Sequence, residues 1–281
     1  MKKHPGVLWL LAAAVLWSTG GVFSKRIPWD GLTVSIVRGA VAFFALALVR
    51  RRLPWPVRWP TLLPAICFFG QGILLIASFK YTTAANTIAL QYTSPLFIIV
   101  FSALLTRKLP QKREWLTCLV LVADIFLTCL GEPSRGGMRG NLLAIGSGLC
   151  YAGVFFTSRL PSADAADAVL LGSGLYVLCL PLPILSGAFA GSTAGDWALA
   201  VAFGVLVGAG AWTCFARGIR TTPSLTANFI AMLEPVLSPV WTFLLLREKM
   251  SVFSLLGCAV VLLTLCVYYL TAPKAPPEAV Q

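Results

Sequence analysis

The stretch 84–105, AANTIALQYTSPLFIIVFSALL, is 22 residues long, has no charged side chain and carries Pro95 near its middle. As a helix, a run of this length and apolarity crosses the ~30 Å hydrocarbon core of a bilayer. The stretch 223–245, PSLTANFIAMLEPVLSPVWTFLL, is also long and mainly apolar, with Glu234 as its one charged residue and Pro235 in the position of Pro95. The two stretches predict a fold made of membrane-spanning helices that is duplicated within the chain.

The rest of the chain has the composition of a membrane protein. Of its 281 residues, 58% are apolar and 11% are charged, and the mean hydropathy is +0.85. A soluble domain carries about 25% charged residues, so this chain has too little charge to cover a surface that faces water. The composition therefore excludes a soluble globular enzyme, and its high apolar content also excludes intrinsic disorder.

Ten apolar segments are long enough to cross a bilayer as helices. Turn-forming residues separate several of them, and tryptophans lie at predicted ends, where amphipathic rings prefer the headgroup level. We therefore predict an all-α membrane protein with ten transmembrane helices, near residues 6–24, 31–49, 60–79, 84–105, 113–131, 140–159, 166–187, 195–216, 223–245 and 251–271.

An internal repeat organises these segments. Shifts of 140 or 134 residues align chemically similar pairs: Lys80 with Arg220, Pro95 with Pro235, Arg107 with Arg247, and Trp17 with Tyr151. Because each half holds five spans, an odd number, homologous halves must cross the membrane in opposite directions. Such inverted repeats are typical of transporters, with the binding site near the midplane between them. We predict a first five-helix repeat at 1–131, an extracytoplasmic linker at 132–139, a second five-helix repeat at 140–272 and a cytoplasmic tail at 273–281.

The charge distribution predicts the orientation. The net charge is +12, and the basic residues cluster in short gaps between apolar runs, not in a stripe on a polar helix. With the N-terminus inside, 14 Lys and Arg residues lie on the cytoplasmic side and 7 on the other side, as the positive-inside rule requires. We expect a multi-pass protein of a bacterial cytoplasmic (inner) membrane with both termini cytoplasmic, and no nucleic-acid partner.

Several motifs resemble those of a known transporter family: Leu16-Trp17-Ser18-Thr19, Arg38-Gly39, Glu234-Pro235-Val236, Leu244-Leu245-Leu246-Arg247-Glu248-Lys249 and Leu256-Gly257. Over essentially the whole chain they resemble the EamA-type branch of the drug/metabolite transporter superfamily. The resemblance implies a ten-helix exporter of small metabolites that works by alternating access. The first motif is also similar to the opening of aromatic amino-acid exporters of the YddG kind. One departure is Arg107-Lys108, which stands where the family has an acidic residue, so only Glu248 matches the closing acid of a repeat.

Three charged residues stand out within predicted spans, where such residues are costly and mark binding sites or ion pathways. They are Arg38, Asp124 and Glu234. Arg38 either extends towards the interface or holds a carboxylate from the protein or a substrate, and Glu234 matches the family's Glu-Pro motif. Arg38 and Glu234 are therefore our candidates for charge pairing or coupling, whereas Asp124 is expected to form a buried structural hydrogen bond.

Polar and aromatic residues at mid-span are candidates for a cavity lining. An aromatic ring there either packs or offers a flat wall to an apolar side chain, and a buried amide needs a polar partner. The predicted substrate-binding residues are Trp17, Gln91, Tyr92, Ser94, Tyr151, Trp212 and Asn228, with Gln71, Asn86 and Trp241 as further mid-span residues.

Pro95 and Pro235 are predicted hinges. A proline lacks the N–H that bonds the carbonyl four residues earlier, so the carbonyls of Gln91 and Ala231 are expected to be free and the helices to bend. Transmembrane helices also tolerate proline without any such role, but the matched positions favour hinges beside a cavity. Glycine clusters, such as the one at 204–210, are expected to let helices pack closely.

The sequence contains no nucleotide-binding or metal-binding motif, and its single histidine is His4 in the N-terminal tail. We therefore predict no enzyme activity, no cofactor and no metal. The expected function is secondary transport that exports small metabolites, above all amino acids with aromatic or apolar side chains. The expected partners are this small-molecule substrate and membrane lipid, with the chain as a monomer. A passive channel or a lipid-handling membrane protein is the alternative, and saturating flux with counterflow would separate the transporter from the channel.

Overall fold

The computed structural model describes residues 5–51, 57–107, 111–130, 135–157, 165–219, 222, 230–231, 233–249 and 251–270. Over these residues the protein is built from helices and contains no strand, so the predicted all-α class is confirmed. Asn228, residues 132–134 of the predicted linker and the predicted tail at 273–281 lie outside the described residues.

The helices follow one another with short connections. They are α1 (Pro5–Ser18), α2 (Gly20–Arg26), α3 (Gly31–Arg50), α4 (Trp59–Tyr81), α5 (Ala84–Gln91), α6 (Ser94–Thr106), α7 (Lys112–Leu130), α8 (Arg135–Thr157), α9 (Ala165–Cys179), α10 (Pro181–Leu185), α11 (Ala194–Ala202), a π-helical segment (Phe203–Gly210), α12 (Ala211–Ile219), α13 (Leu233–Leu246) and α14 (Val252–Leu270).

Six helical segments are long and apolar enough to cross a membrane: Gly6–Arg26, Gly31–Arg50, Trp59–Tyr81, Ala84–Phe101, Ala166–Leu185 and Ala194–Gly218. Leu233–Leu246 and Val252–Tyr268 are shorter apolar helices. The helices α7 and α8 coincide with the segments predicted at 113–131 and 140–159, although α8 begins at Arg135, within the predicted linker. The full set of ten transmembrane helices stays a prediction.

In two of the long segments a threonine lies where one helix ends and the next begins. Thr19 separates α1 from α2, and its hydroxyl donates to the carbonyl oxygen of Leu16 at 2.7 Å. Thr93 precedes α6, and its hydroxyl donates to the carbonyl oxygen of Leu90 at 2.6 Å. Each of these carbonyl oxygens also accepts the backbone N–H of the same threonine, so the hydroxyl adds a second donor at the break.

The π-helical segment Phe203–Gly210 packs closely on α3. A Cβ atom at Gly204 would lie 2.5 Å from Cβ of Val41 and 2.8 Å from the carbonyl oxygen of Arg38. Only glycine allows the two backbones to come this close. Single π-helical turns are frequent at functional sites, and this one carries Phe203 and Val207 into the protein core.

The interior is built around α4 and α3. The helix α4 packs along α8 and α9, α3 packs along α9 and the π-helical segment, and α1 packs along α12. The main hydrophobic cluster joins residues of α3, α4, α5, α11 and the π-helical segment, among them Val34, Ile76, Ile88 and Phe203. Helices from both halves of the chain therefore share one core.

Ion pairs tie helix ends together at two places. Lys25 Nζ at the end of α2 lies 2.7 Å from Glu248 Oε1 after α13, and it also donates to the carbonyl oxygen of Thr82 at 2.9 Å. Arg50 Nη1 at the end of α3 lies 2.6 Å from Asp167 Oδ1 near the start of α9.

Candidate binding cavity

A cavity of about 50 Å³ lies at the centre of the helix assembly. Six predicted candidates line it, and they come from six different helices: Trp17, Arg38, Gln91, Tyr151, Trp212 and Glu234. Gln71 also lines it, together with residues that sequence reasoning did not single out: Gly20, Phe68, Leu75, Ile76, Phe79, Phe203 and Val207.

One wall of the cavity is aromatic. The ring centroid of Trp17 lies 5.1 Å from that of Trp212 and 5.2 Å from that of Phe215. Phe68 meets Trp212 edge-on, with 5.3 Å between the centroids. These are the separations at which aromatic pairs attract each other, so the rings hold one another in place and present a flat apolar surface.

Arg38 supplies a positive charge at the cavity. It does not extend towards the interface, because its guanidinium carbon lies 5.4 Å from the ring centroid of Phe203 and it is hydrogen-bonded to Tyr176. The Tyr176 hydroxyl in turn donates to the carbonyl oxygen of Phe69 at 2.9 Å. Among the described residues, Arg38 Nε has no hydrogen-bond partner, and Arg38 forms no ion pair.

Glu234 supplies an acid at the same cavity and is held by Tyr92. The Tyr92 hydroxyl donates towards Glu234 Oε2 and towards the carbonyl oxygen of Ala231, each at 3.0 Å. The missing N–H of Pro235 leaves that Ala231 carbonyl without its helical partner. Tyr92 is not among the residues that line the cavity; it joins the break between α5 and α6 to the start of α13, where Pro235 lies.

The break itself lies beside the cavity. The helix α5 ends at Gln91, and α6 begins at Ser94, with Pro95 as its second residue. The Gln91 side chain lines the cavity, and its Oε1 atom is buried without a partner among the described residues. A Cβ atom at Gly148 would lie 3.0 Å from the Gln91 carbonyl oxygen, so α8 packs directly on the break.

Other predicted residues lie elsewhere. Ser94 is buried, and neither it nor Pro95 or Pro235 is among the residues that line the cavity, while Asn228 is outside the described residues. Asn86 Nδ2 donates to Asn141 Oδ1 at 3.3 Å. The hydrogen bond expected for Asp124 is not found, since both of its buried carboxylate oxygens lack a partner in the part of the chain that the structure describes.

The chain matches a family of known membrane transporters over both of its halves. The profile of the EamA-like transporter family matches residues 4–130 and matches again over residues 138–270. The chain belongs to the EamA-like transporter family. This EamA-like transporter is therefore a multi-pass membrane protein, in agreement with its long apolar helices.

Curated relatives of this EamA-like transporter include amino-acid exporters. The threonine/homoserine exporter RhtA of Salmonella typhimurium is 24% identical, over 92% of this chain and 88% of the relative. RhtA of Escherichia coli K12 has the same identity and coverage. An uncharacterized transporter of Archaeoglobus fulgidus is 28% identical, over 90% and 92% of the two chains. A solved crystal structure with 20% identity superposes with a TM-score of 0.61, covers 96% of this chain and 99% of the other, and shows the same fold.

Proposed function

We propose that this protein is a secondary transporter that exports amino acids across a bacterial cytoplasmic membrane by alternating access. The observation that carries the proposal is the convergence of residues from both halves of the chain on one central cavity. Its aromatic wall suits the side chain of an amino acid, and its few polar groups suit the charged ends. Small-molecule sites are built in this way, from an apolar lining with a small number of placed polar groups.

The proposal includes ten transmembrane helices in two inverted repeats, at 1–131 and 140–272. The family profile supports this division because it matches the chain twice, over 4–130 and 138–270. Contacts between helix ends support it as well. If successive spans cross in alternating directions from a cytoplasmic N-terminus, the ends that meet must lie on the same side.

The observed end contacts agree with that alternation. Lys25 ends the first proposed span and Glu248 follows the ninth, which puts both outside, and they form an ion pair. Arg50 ends the second span and Asp167 begins the seventh, which puts both inside, and they also pair. Two more contacts obey the same rule: Trp29 Nε1 donates to Ser192 Oγ, and the Arg217 guanidinium lies over the Trp9 ring.

The size of the cavity supports a carrier. Ligand sites in proteins have volumes of about 300–1,000 Å³, whereas this cavity measures about 50 Å³, enough for a few water molecules. The described conformation is thus contracted, and loading an amino acid requires helices to move apart. A passive channel would need a continuous polar lining, and the aromatic wall interrupts any such path.

The substrate class is proposed from the charged and aromatic groups together. Zwitterionic amino acids with aromatic or apolar side chains fit the Trp17 and Trp212 wall best. Because the RhtA relatives are named as threonine and homoserine exporters, those two amino acids are the competing candidates within the same class. We place the chain as a monomer in the membrane, with lipid around its apolar outer faces.

Counterflow in proteoliposomes tests this function. Purified protein is reconstituted in vesicles loaded with unlabelled phenylalanine, threonine, homoserine or alanine, and the entry of trace labelled amino acid is followed with and without a pH gradient. Vesicles without protein are the control. We expect saturable entry that is faster into preloaded vesicles. Flux that rises linearly with concentration and ignores preloading would indicate a channel, and no entry of any amino acid would overturn the proposed substrate class.

A further inference from the structure

In the part of the chain that the structure describes, no acidic side chain forms an ion pair with Arg38. The ion pairs between described residues are Lys25–Glu248 and Arg50–Asp167, and neither reaches the cavity. An arginine buried among helices in a membrane is costly without an anionic partner. The groups that face it are the ring of Phe203 and the hydroxyl of Tyr176, which orient a guanidinium without cancelling its charge.

The surroundings of Arg38 are built to hold this guanidinium in place. Tyr176 is fully buried; its ring lies so close to Gly39, and its hydroxyl oxygen so close to Gly72, that a Cβ atom at either glycine would overlap it. The Tyr176 hydroxyl is anchored on the Phe69 carbonyl oxygen at 2.9 Å. A guanidinium fixed on one side in this way still has N–H donors for a carboxylate, which it can bind with two parallel hydrogen bonds.

A carboxyl group lies at the same cavity. Glu234 lines it, and among the described residues only Tyr92 donates to its carboxyl group. The buried Gln91 Oε1 adds a second acceptor without a partner among those residues. Acceptors of this kind suit an ammonium group, which has three donors and no acceptor.

We propose that Arg38 binds the α-carboxylate of the transported amino acid, and that Glu234 and Gln91, which line the same cavity, bind the α-ammonium group. This assignment rests on the proposed function and deepens it, because it makes recognition depend on the two charged ends, with the side chain left to the aromatic wall. Tyr176 is then a positioning residue that acts through Arg38. In this assignment the charged groups bind the two ends of the zwitterion, and the aromatic wall sets the selectivity among side chains.

Analogues that each lack one pole test the assignment. Initial counterflow of labelled phenylalanine, or of threonine if that is the better substrate, is inhibited with the amino acid, its carboxamide and its deaminated acid. A charge-assisted hydrogen-bonded contact contributes about 1.5–3 kcal/mol, so each missing pole should weaken inhibition about ten- to a hundredfold in the wild-type protein. A wild-type protein that accepts the carboxamide as well as the amino acid would overturn the role of Arg38 without any variant.

Variants then assign each pole to a residue. In Arg38→Gln the amino acid and its carboxamide should inhibit within about twofold of each other, while the deaminated acid stays weak. Glu234→Gln should show the reverse pattern, and Arg38→Lys should keep part of the preference because it keeps the charge without the planar fork. Arg50→Gln is the matched control, since Arg50 lies on the same helix but pairs with Asp167 outside the cavity; its ratios should not change.

The outcomes separate the possible failures. Arg38→Gln protein that is inserted at normal abundance and still prefers the amino acid over the carboxamide would overturn the assignment, as would an equal loss for all three compounds, which is the pattern of a packing defect. If Arg38→Gln does not insert, Tyr176→Phe is measured instead, and it should lower the carboxamide discrimination selectively. Absence of any amino-acid counterflow in the wild-type protein would overturn the proposed function itself.

Discussion

Trp17 is the residue at which the aromatic wall can be tested. It contacts Trp212 and Phe215 at centroid separations of 5.1 and 5.2 Å and lines the cavity. We predict that Trp17→Ala lowers the transport of phenylalanine about tenfold or more relative to alanine, because loss of an aromatic contact removes about 1.5 kcal/mol or more from a flat apolar side chain. Relative counterflow rates for the two amino acids measure this.

The matched control is Trp197→Ala. Trp197 packs against Trp29 and Phe189, with centroids 4.8 Å away in both cases, and does not line the cavity. Its removal should leave the ratio of phenylalanine to alanine transport unchanged. An equal loss for both amino acids in Trp17→Ala would assign Trp17 to packing and leave the aromatic preference without support.

Asp30 provides a stability test outside the membrane-spanning segments. It caps α3, accepting from the backbone N–H groups of Leu32 and Thr33 at 2.9 and 3.1 Å. Partial burial raises the pKa of Asp30, but hydrogen bonds from the Thr33 side chain and from both N–H groups outweigh it and hold the pKa below 3.8. Because the folded-state pKa is lowered, the cap stabilises the protein at neutral pH and loses its effect as the pH falls through that lowered pKa.

Asp30→Ala should therefore lower the free energy of unfolding by about 1 kcal/mol at pH 7, and by less once the carboxyl group is protonated. Unfolding in detergent, followed by tryptophan fluorescence, measures the difference. Asp30→Asn is the control, since asparagine also caps helices but does not titrate. Unchanged stability of Asp30→Ala at pH 7 would contradict the capping role.

Individual site residues could be predicted only where they differ chemically from their surroundings. Trp17, Arg38, Gln91 and Glu234 stand out because they are polar, charged or amphipathic within apolar runs, and the structure brings them together. Phenylalanine in such a run carries no comparable signal, because it suits lipid and cavity equally, so Phe203 was not predicted. The sequence also gives no sign of the hydrogen bond between Arg38 and Tyr176, because Tyr176 lies on α9, far from Arg38 in the chain.

At the scale of the helices, a hydrogen bond connects the two proline sites. Tyr92, at the end of α5, reaches the Ala231 carbonyl oxygen that Pro235 leaves without its helical partner. We predict that Pro95→Ala and Pro235→Ala each slow counterflow severalfold without lowering membrane abundance, because alanine restores the missing helical hydrogen bond and stiffens the break. Initial rates at saturating substrate measure the effect.

Pro64→Ala is the matched control for this prediction. Pro64 also lies inside a helix, but α4 continues through it without a break, and it has no counterpart in the predicted alignment of the two halves. It should change turnover less than the other two substitutions. Unchanged turnover in Pro95→Ala, Pro235→Ala and the double variant would mean that these prolines are merely tolerated.

The breaks show what local sequence can and cannot predict. Pro95 predicts an interruption near residue 92 because the missing N–H is a local property, and α5 does end at Gln91. The π-helical segment Phe203–Gly210 was not predicted. Its glycines indicate close packing, and α3 does approach Gly204 closely. Whether the segment is α-helical or π-helical, however, depends on its packing against α3, which the local sequence does not contain.

At the scale of the molecule, the alternation of spans predicts which surfaces face which side. In a protein without native cysteines, we expect Met138→Cys and Ala190→Cys to react with a membrane-impermeant maleimide in intact cells. Val57→Cys should react only after the cells are permeabilised. All three positions are exposed. Labelling of Met138→Cys only after permeabilisation would end the argument for inverted repeats.

Hydropathy predicts where long apolar helices lie, because crossing about 30 Å of hydrocarbon demands long apolar runs whatever the neighbours are, and six helical segments have the length and apolarity of a span. It could not show which helices pack together. The extensive contact of α4 with α8 and α9 joins the two halves through small residues and matched shapes, which a single sequence does not record.

The most direct test of alternating access is to lock one end of the molecule. Lys25→Cys and Glu248→Cys, introduced together into the cysteine-free protein, replace a pair whose charged atoms lie 2.7 Å apart, and a short cleavable bismaleimide can join them. Single-cysteine variants treated with the same reagent are the controls. We predict that cross-linking stops amino-acid counterflow and that cleaving the linker restores it. Counterflow that continues at the same rate in the cross-linked protein would contradict alternating access around this cavity.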